Sequence, residues 1–270
     1  MGNLREKRRH LLQRKKVEQI LFLICVVVFI ISAVSLFIKW YTEKQAQEKY
    51  ESLSQTAIEI ETESVDVFTE LGIDNPAKIL DWEQLWKENE DIYGWIYISD
   101  TNIDYPILQH KTDNLYYLNY NLDGTKGYPG CIYTENINAK DFSDYNTLIY
   151  GHNMKNGTMF ADLHKFEDVK FFEEHPYVYV YTPEEVLIYE VYATYEFTNA
   201  HILYSYDCFS QSGFEEYLNM VYEEYGDKGN FREEVEVTRE DTVITLSTCV
   251  SGQNEKRLLV QAVCIGREEL

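Results

Sequence analysis

Hydrophobic and polar positions fall into three successive regimes along the chain. The first is an unbroken apolar run, Ile20 to Ile38, 19 residues without a charge. As a helix rising about 1.5 Å per residue it covers roughly 28 Å, close to the ~30 Å of a bilayer's hydrocarbon. Fifteen of these residues are Leu, Ile, Val or Phe, which favours insertion by about 5–9 kcal/mol before other terms. The second regime, residues 41 to about 75, is polar and charged and reads as a partly helical stalk. Asn75-Pro76 then predicts a helix start, with Asn75 as N-cap and Pro76 in the first turn. Ile79, Trp82, Leu85 and Trp86 follow at helical spacing.

From about Ile92 the pattern changes to short β-rich runs. They predict strands near Tyr93–Ile98, Asp104–Leu108, Cys131–Thr134, Thr147–Tyr150, Val178–Tyr181, Val186–Phe197, Thr242–Ser247 and Leu258–Ile265. Turn-prone pairs such as Asp123-Gly124 and Asn156-Gly157 separate them. One helix interrupts the series, Gly213 to Tyr225, with Phe214, Tyr217, Leu218, Val221 and Tyr222 on one stripe. About eight strands with few helices predict a mostly β fold, a closed barrel with peripheral helices, not an alternating βαβ sheet.

Charge sharpens the reading of the first regime. The chain carries 24 Lys and Arg against 46 Asp and Glu, a net −22. That argues against nucleic acid as a partner, which would need a basic footprint. Residues 1 to 16 run the other way: Arg5, Lys7, Arg8, Arg9, Arg14, Lys15 and Lys16 oppose Glu6 alone. Cations before an apolar span keep that end in the cytoplasm and send the rest outward. A cleaved signal peptide is the rival reading, but its apolar region is usually only ~7–15 residues. Here the small residues Ser32, Ala33 and Ser35 lie inside the run, and Lys39, Trp40 and Tyr41 beyond it suit an interfacial anchor. The expected layout is a basic cytoplasmic tail over 1–16, a signal anchor over 17–39, a stalk over 40–75 and the barrel domain over 76–270, single-pass in the cell membrane.

Chemistry narrows to one thiol. Of five cysteines, Cys25 lies in the apolar run, and Cys131 and Cys264 lie in apolar strands where a small buried hydrophobe is the ordinary role. Cys208 sits in a polar stretch and stays ambiguous. No Cys or His spacing fits a zinc site, so no metal is expected. Cys249 differs, because it ends the run from Thr242 where an apolar strand yields to the polar loop Ser251–Lys256. A free thiol has a pKa of ~8.5 and needs an imidazole or cation nearby to act at neutral pH. His152 follows the β-like run Asn146–Tyr150, with Gly151 allowing a sharp turn. Arg257 opens the last apolar strand, where it would neighbour Cys249 across an antiparallel pair. His110, His164, His175 and His201 read as surface residues in loops.

Tyr150-Gly151-His152-Asn153-Met154, Thr245-Leu246-Ser247-Thr248-Cys249 and Arg257 together resemble the sortases, cysteine transpeptidases of Gram-positive surfaces. Asp113–Leu118, Asn153–Phe160, the helix before the cysteine strand and the amino-terminal helix before Gly94-Trp95-Ile96 resemble class B within that family. The resemblance covers roughly residues 76 to 270. It implies an eight-stranded sortase barrel and no required cofactor. Cys249 would be the nucleophile, His152 the acid/base and Arg257 the oxyanion and substrate group. Ser247 and Thr248 would line the site, and Asn114 and Leu118 would contact a sorting peptide.

The implied reaction cleaves a carboxyl-terminal sorting motif of a secreted protein after Thr, through a thioester. An amine on a peptidoglycan precursor or on another protein then resolves it. A thiol protease using water and a non-catalytic surface module are the two rival readings.

Overall fold

The computed structural model describes residues 2–54 and 67–270, with the side chains of residues 2–18 and 20 left aside. Two compact units divide at Gln45/Ala46. The first carries most of a helix, α1 (Gly2–Ser54), whose segment from Leu21 is long and apolar enough to cross a membrane. The second unit, from Ala46, holds the barrel and includes the end of α1, where Tyr50 and Leu53 are buried in its core. Tyr50 donates from its hydroxyl to the Gly130 carbonyl at 2.9 Å. Part of the expected stalk, residues 55–66, lies outside the described residues.

Nine strands make one sheet: β1 (Ile92–Tyr97), β2 (Asp104–Leu108), β3 (Ile132–Thr134), β4 (Asn146–Tyr150), β5 (Tyr177–Tyr181), β6 (Glu185–Thr198), β7 (Gly229–Phe231), β8 (Val243–Val250) and β9 (Gln253–Glu269). Their order is β5-β1-β2-β3-β4-β8-β9-β6-β7, and β5 also pairs with β6. That pairing closes eight strands into a barrel and removes its free edges. The long β6 makes closure possible. Its first half pairs β5, its second half pairs the short β7, and β9 runs along both halves. The β2–β3 and β4–β8 pairs are parallel, and the other pairs are antiparallel.

The eight expected strands are present, most extended by a residue or more at their ends. The short β7 has only three residues, Gly-Asn-Phe, too few to show a period. Six helical pieces join the barrel: α2 (Val67–Leu71), α3 (Trp82–Glu88), α4 (Tyr116–Asn119), α5 (Val169–Glu174), α6 (Ile202–Ser205) and α7 (Gln211–Tyr225), with a 3₁₀ turn over Ala161–Glu167. The helix expected from Asn75 begins instead at Trp82. Asn75 Oδ1 accepts from the Ala77 N–H at 2.7 Å, and Ala77 takes φ 49°, a left-handed turn that stops a helix there. Asp81 is the true cap, accepting from the Gln84 N–H at 3.0 Å. The polar stretch after Cys249 is a hairpin turn, with Gly252 at φ +76° and the ladder resuming at Val250–Gln253.

Period-two alternation assigns the two faces of β8 and β9. Ile244, Leu246, Leu258, Val260 and Ala262 join one core cluster. Val243, Leu259 and Val263 join another, with Phe214, Tyr217, Leu218 and Val221 of α7. Along the face that α7 covers, the paired residues are Val243–Val263, Thr245–Gln261, Ser247–Leu259 and Cys249–Arg257. Direct cross-strand partners share a face, so this row ends on Cys249 and Arg257.

Gln261 is fully buried in the middle of that row. Its amide accepts from the hydroxyls of Tyr192 (3.1 Å) and Tyr195 (3.0 Å). It donates to the oxygens of Tyr217 (2.8 Å) and Thr245 (2.8 Å). Thr245 in turn donates to Asn146 Oδ1 at 2.8 Å. Four strands and α7 are thereby tied at one point. A buried hydroxyl that loses its partner costs about 1–3 kcal/mol. Gln261→Leu is expected to lower the unfolding free energy by at least about 2 kcal/mol, measured by urea denaturation. A neutral result would mean that the hydroxyls find other partners.

Candidate active site

A cleft of about 210 Å³ opens where the row on β8 and β9 ends. Tyr133, Tyr150 and Ser247, Leu115, Leu118 and His152, and the stretch from Asn199 to Ile202 line it, together with the cross-strand partners Cys249 and Arg257. The three residues singled out from sequence are thus brought into one cavity. Cys249 and Arg257 are direct partners in the antiparallel ladder. His152 arrives from β4, which runs parallel to β8 with Tyr150 opposite Ser247.

Gly151 lets β4 reach this point, though not by a left-handed turn. A Cβ there would stand 2.5 Å from Ile132 Cδ1 and 2.6 Å from Phe160 Cγ, so the side chain is excluded by close packing. The Thr248 hydroxyl donates to the Gly151 carbonyl at 2.8 Å, clamping the two strand ends together. His152 Nε2 lies 2.8 Å from the Leu118 carbonyl. A carbonyl only accepts, so Nε2 carries the proton and Nδ1 is the nitrogen left to exchange one. The Tyr128 ring covers the imidazole, with centroids 5.1 Å apart.

Arg257 Nη1 donates to the carbonyls of Asn254 (3.0 Å) and Lys256 (2.9 Å) in its own hairpin. Those two bonds hold the guanidinium plane in place. Burial pushes the phenols of Tyr133 and Tyr150 well above their ordinary range, with nearby Glu135 adding to it. Both therefore stay neutral in the lining of the cleft.

Ser247, Thr248 and Leu118 line the cleft, as expected. Asn114 is not among the lining residues. It donates to Glu135 at 3.1 Å and accepts from the Asn136 N–H at 3.0 Å, so its link to the cleft runs through Glu135. Glu135 is buried and also lies 2.7 Å from His201 Nε2, which is 3.2 Å from the Tyr150 hydroxyl. Sequence reasoning set His201 and His164 on the surface. Both are half-buried, and His201 lines the cleft while His164 lies 3.2 Å from the Cys249 carbonyl. Charged neighbours suggested exposure, and the long-range contacts that bury them leave no periodic signal.

The other thiols of the barrel unit are out of reach of substrate. Burial pushes Cys131 and Cys208 each up to about 12, and the Cys264 thiol is also raised by burial. Cys249 is the exposed one among these four. Iodoacetamide at neutral pH should therefore alkylate Cys249 first in the native barrel unit, with Cys131 and Cys208 reacting only after unfolding. Peptide mapping by mass spectrometry reads the order, and early labelling of Cys131 would contradict the burial seen here.

Comparison with known proteins agrees with this geometry. A family model for the sortase domain matches residues 96–265. Sortase B of Listeria monocytogenes is 42% identical over 182 residues, covering 66% of this chain and 71% of that protein. Sortase B of Staphylococcus aureus is 29% identical over 250 residues, covering 92% and 95%. Among solved structures, sortase B from B. anthracis superposes with a TM-score of 0.66 at 30% identity, over 84% of this chain and 98% of that one. A Staphylococcus aureus sortase B–substrate complex gives 0.64 at 29% identity, over 82% and 97%. A closed eight-stranded barrel with one exposed strand-end thiol, a matching domain and these relatives lead to a single assignment: the chain belongs to the sortase family of cysteine transpeptidases, in class B.

Proposed function

We propose that Cys249, His152 and Arg257 carry a peptide-bond cleavage and transfer on a sorting motif near the carboxyl terminus of secreted proteins. The observation that supports this best is the direct pairing of Cys249 with Arg257 above a cleft that also holds His152. The substrate complex of the Staphylococcus aureus relative supports a peptide substrate for this cleft as well.

The Cys249 thiolate attacks the carbonyl carbon of the motif's Thr. The oxyanion that forms is met by Arg257, which keeps donors on Nε and Nη2 while Nη1 stays bound to its own hairpin. His152 hands the proton on Nδ1 to the leaving amine, the peptide bond breaks, and a thioester remains on Cys249. An amine, from a peptidoglycan precursor or another protein, attacks that thioester. Its proton returns to His152, and Cys249 leaves as thiolate. Leu118, Ser247 and Thr248 hold the peptide in the cleft. No cofactor enters the sequence of steps.

The apolar run, Ile20–Ile38, serves as an uncleaved membrane anchor within residues 17–39. Residues 1–16 remain cytoplasmic, and the chain beyond the anchor stands outside the cell; of the expected stalk over 40–75, the part from Ala46 belongs to the barrel unit that carries the catalytic strands within 76–270. An anchored enzyme meets both secreted substrates and lipid-linked acceptors at the membrane.

Cys249→Ala is expected to abolish cleavage of a sorting peptide while the fold persists, and His152→Ala to lose about 10²–10⁴-fold. Cys131→Ala, Cys208→Ala and Cys264→Ala should keep activity. Peptide mass spectrometry with and without an added amine separates transfer from hydrolysis. Turnover by Cys249→Ala would end this reading.

Arg257→Ala should lower kcat by about 10²–10³-fold, as for one well-aimed oxyanion donor. Arg257→Lys should recover only part, because an ammonium lacks the planar fork. Steady-state rates with circular dichroism as a folding control decide it. A folded Arg257→Ala protein with wild-type kcat/KM would remove Arg257 from the site.

A further inference from the structure

Strand β4 stops one rung short of Cys249. The carbonyls of Ser247 and Cys249 are two residues apart and leave β8 on the same edge. Gly151 N–H donates to the Ser247 carbonyl at 3.2 Å, the last rung between the strands. The next rung would need a backbone N–H opposite Cys249, but the chain has turned away after Tyr150. A side chain fills that place. Asn153 Nδ2 donates to the Cys249 carbonyl at 2.8 Å. The main chain around Asn153 is itself fixed, by an antiparallel bridge to Met159 and by the Phe160 N–H donating to the His152 carbonyl at 3.0 Å.

His164, from the 3₁₀ turn, stands behind this amide. Its Nε2 is 2.9 Å from Asn153 Nδ2, and its Nδ1 is 2.6 Å from Glu167 Oε2. Counting protons assigns the donors. A carboxylate only accepts, so Nδ1 carries the hydrogen and Nε2 offers its lone pair to the amide; the 3.2 Å approach of Nε2 to the Cys249 carbonyl is then a contact between two acceptors and not a hydrogen bond. The hydrogens of Asn153 Nδ2 find acceptors on Cys249 and His164, with Ser251 Oγ a further, longer one at 3.3 Å. The amide is thus aimed from behind.

We infer that Asn153, held by His164 and Glu167, is a positioning residue that fixes the Cys249 main chain relative to His152, its own neighbour in sequence. The inference rests on Cys249 and His152 being the reacting pair. Asn153 touches no substrate in this scheme. It acts by replacing the missing strand at a rung where the β8–β9 ladder also slips, between Cys249 and Val250. An error of about 1 Å in a reacting group can cost roughly 10²-fold in rate.

Asn153→Asp keeps the shape and removes the donor. Asn153→Ala removes both, and His164→Ala removes the support. The full-length protein in detergent is assayed with a fluorogenic peptide taken from a library screen against the wild-type chain, with Cys249→Ala alongside. Asn153→Asp and Asn153→Ala should each lower kcat by about 10- to 100-fold with KM nearly unchanged. His164→Ala should fall in the same direction by less, and adding it to Asn153→Ala should lower kcat little further, as expected for residues in one chain of contacts.

Wild-type kcat in Asn153→Asp overturns the inference, as does a loss confined to KM. If the Asn153 variants do not fold, His164→Ala decides, and wild-type kcat there overturns it equally. An active Cys249→Ala would sink the functional reading itself. An inactive Cys249→Ala beside a fully active Asn153→Asp sinks only the positioning role.

Discussion

The register of the β8–β9 hairpin is the constraint on which the site depends. Cys249 and Arg257 face one another because Thr245 pairs with Gln261 and Ser247 with Leu259 further down the same face. A slip of one residue would turn each of these side chains to the opposite face. Cys249 would then point where Leu246 and Val260 now pack. The register is held by a row that is part apolar and part hydrogen-bonded. Val243, Leu259 and Val263 bury against α7, while Gln261 makes four hydrogen bonds that no neighbouring register offers. A buried amide is a costly group to leave unpaired, so it selects one pairing out of several that the apolar residues alone would tolerate.

The segment between β4 and β8 matters for the site as well. A parallel neighbour needs a long connection, and here it carries α5, β5, β6, α6, α7 and β7. Most of that length closes the barrel or covers its face. The stretch from Phe197 to Ile202 returns to the cleft, with His201 against Glu135, and His164 comes against the Cys249 carbonyl. The loop that supplies His201 lies over the wall made by Tyr133 and Tyr150, whose phenols burial keeps neutral.

What could be read from the sequence follows from the range of the interactions. The helix ending at Tyr225 was legible because burial on one face leaves a local period, and a strand such as Asp104–Leu108, buried on both faces, was legible as a short apolar run. The placement of Cys249 near the end of β8 and of His152 just past β4 was legible from where apolar runs stop, whereas Arg257, expected near a strand start, lies inside a strand that begins at Gln253. The helix start near Asn75 was misplaced because Asn75 can cap a helix or close a turn, and the φ of Ala77 decides between them. Gly151 was read as a hinge, yet its reason is contact with Ile132 and Phe160, residues distant in sequence or beyond a turn. Asn114 was expected at the peptide and is engaged with Glu135 instead. His164 and His201 had no pattern to betray them, because their partners lie 85 and 66 positions away.

The acidity of the chain bears on how the proposed thiolate is supported. A net charge of −22 disfavours another anion anywhere on the protein. Physiological salt screens exposed charges beyond about 8 Å, so most of those carboxylates act weakly on Cys249. Local charges therefore decide. Among the described residues lining the cleft, Glu135 is the one carboxylate, and it is already met by His201 and Asn114. Arg257 is the one side chain there that is permanently cationic, and cross-strand partners stand about 4.5–5.5 Å apart at Cβ. One hairpin rung thus sets the cleft's permanent cation beside Cys249 inside a strongly acidic protein. In the proposed reaction that guanidinium is already in place when negative charge develops on the substrate oxygen.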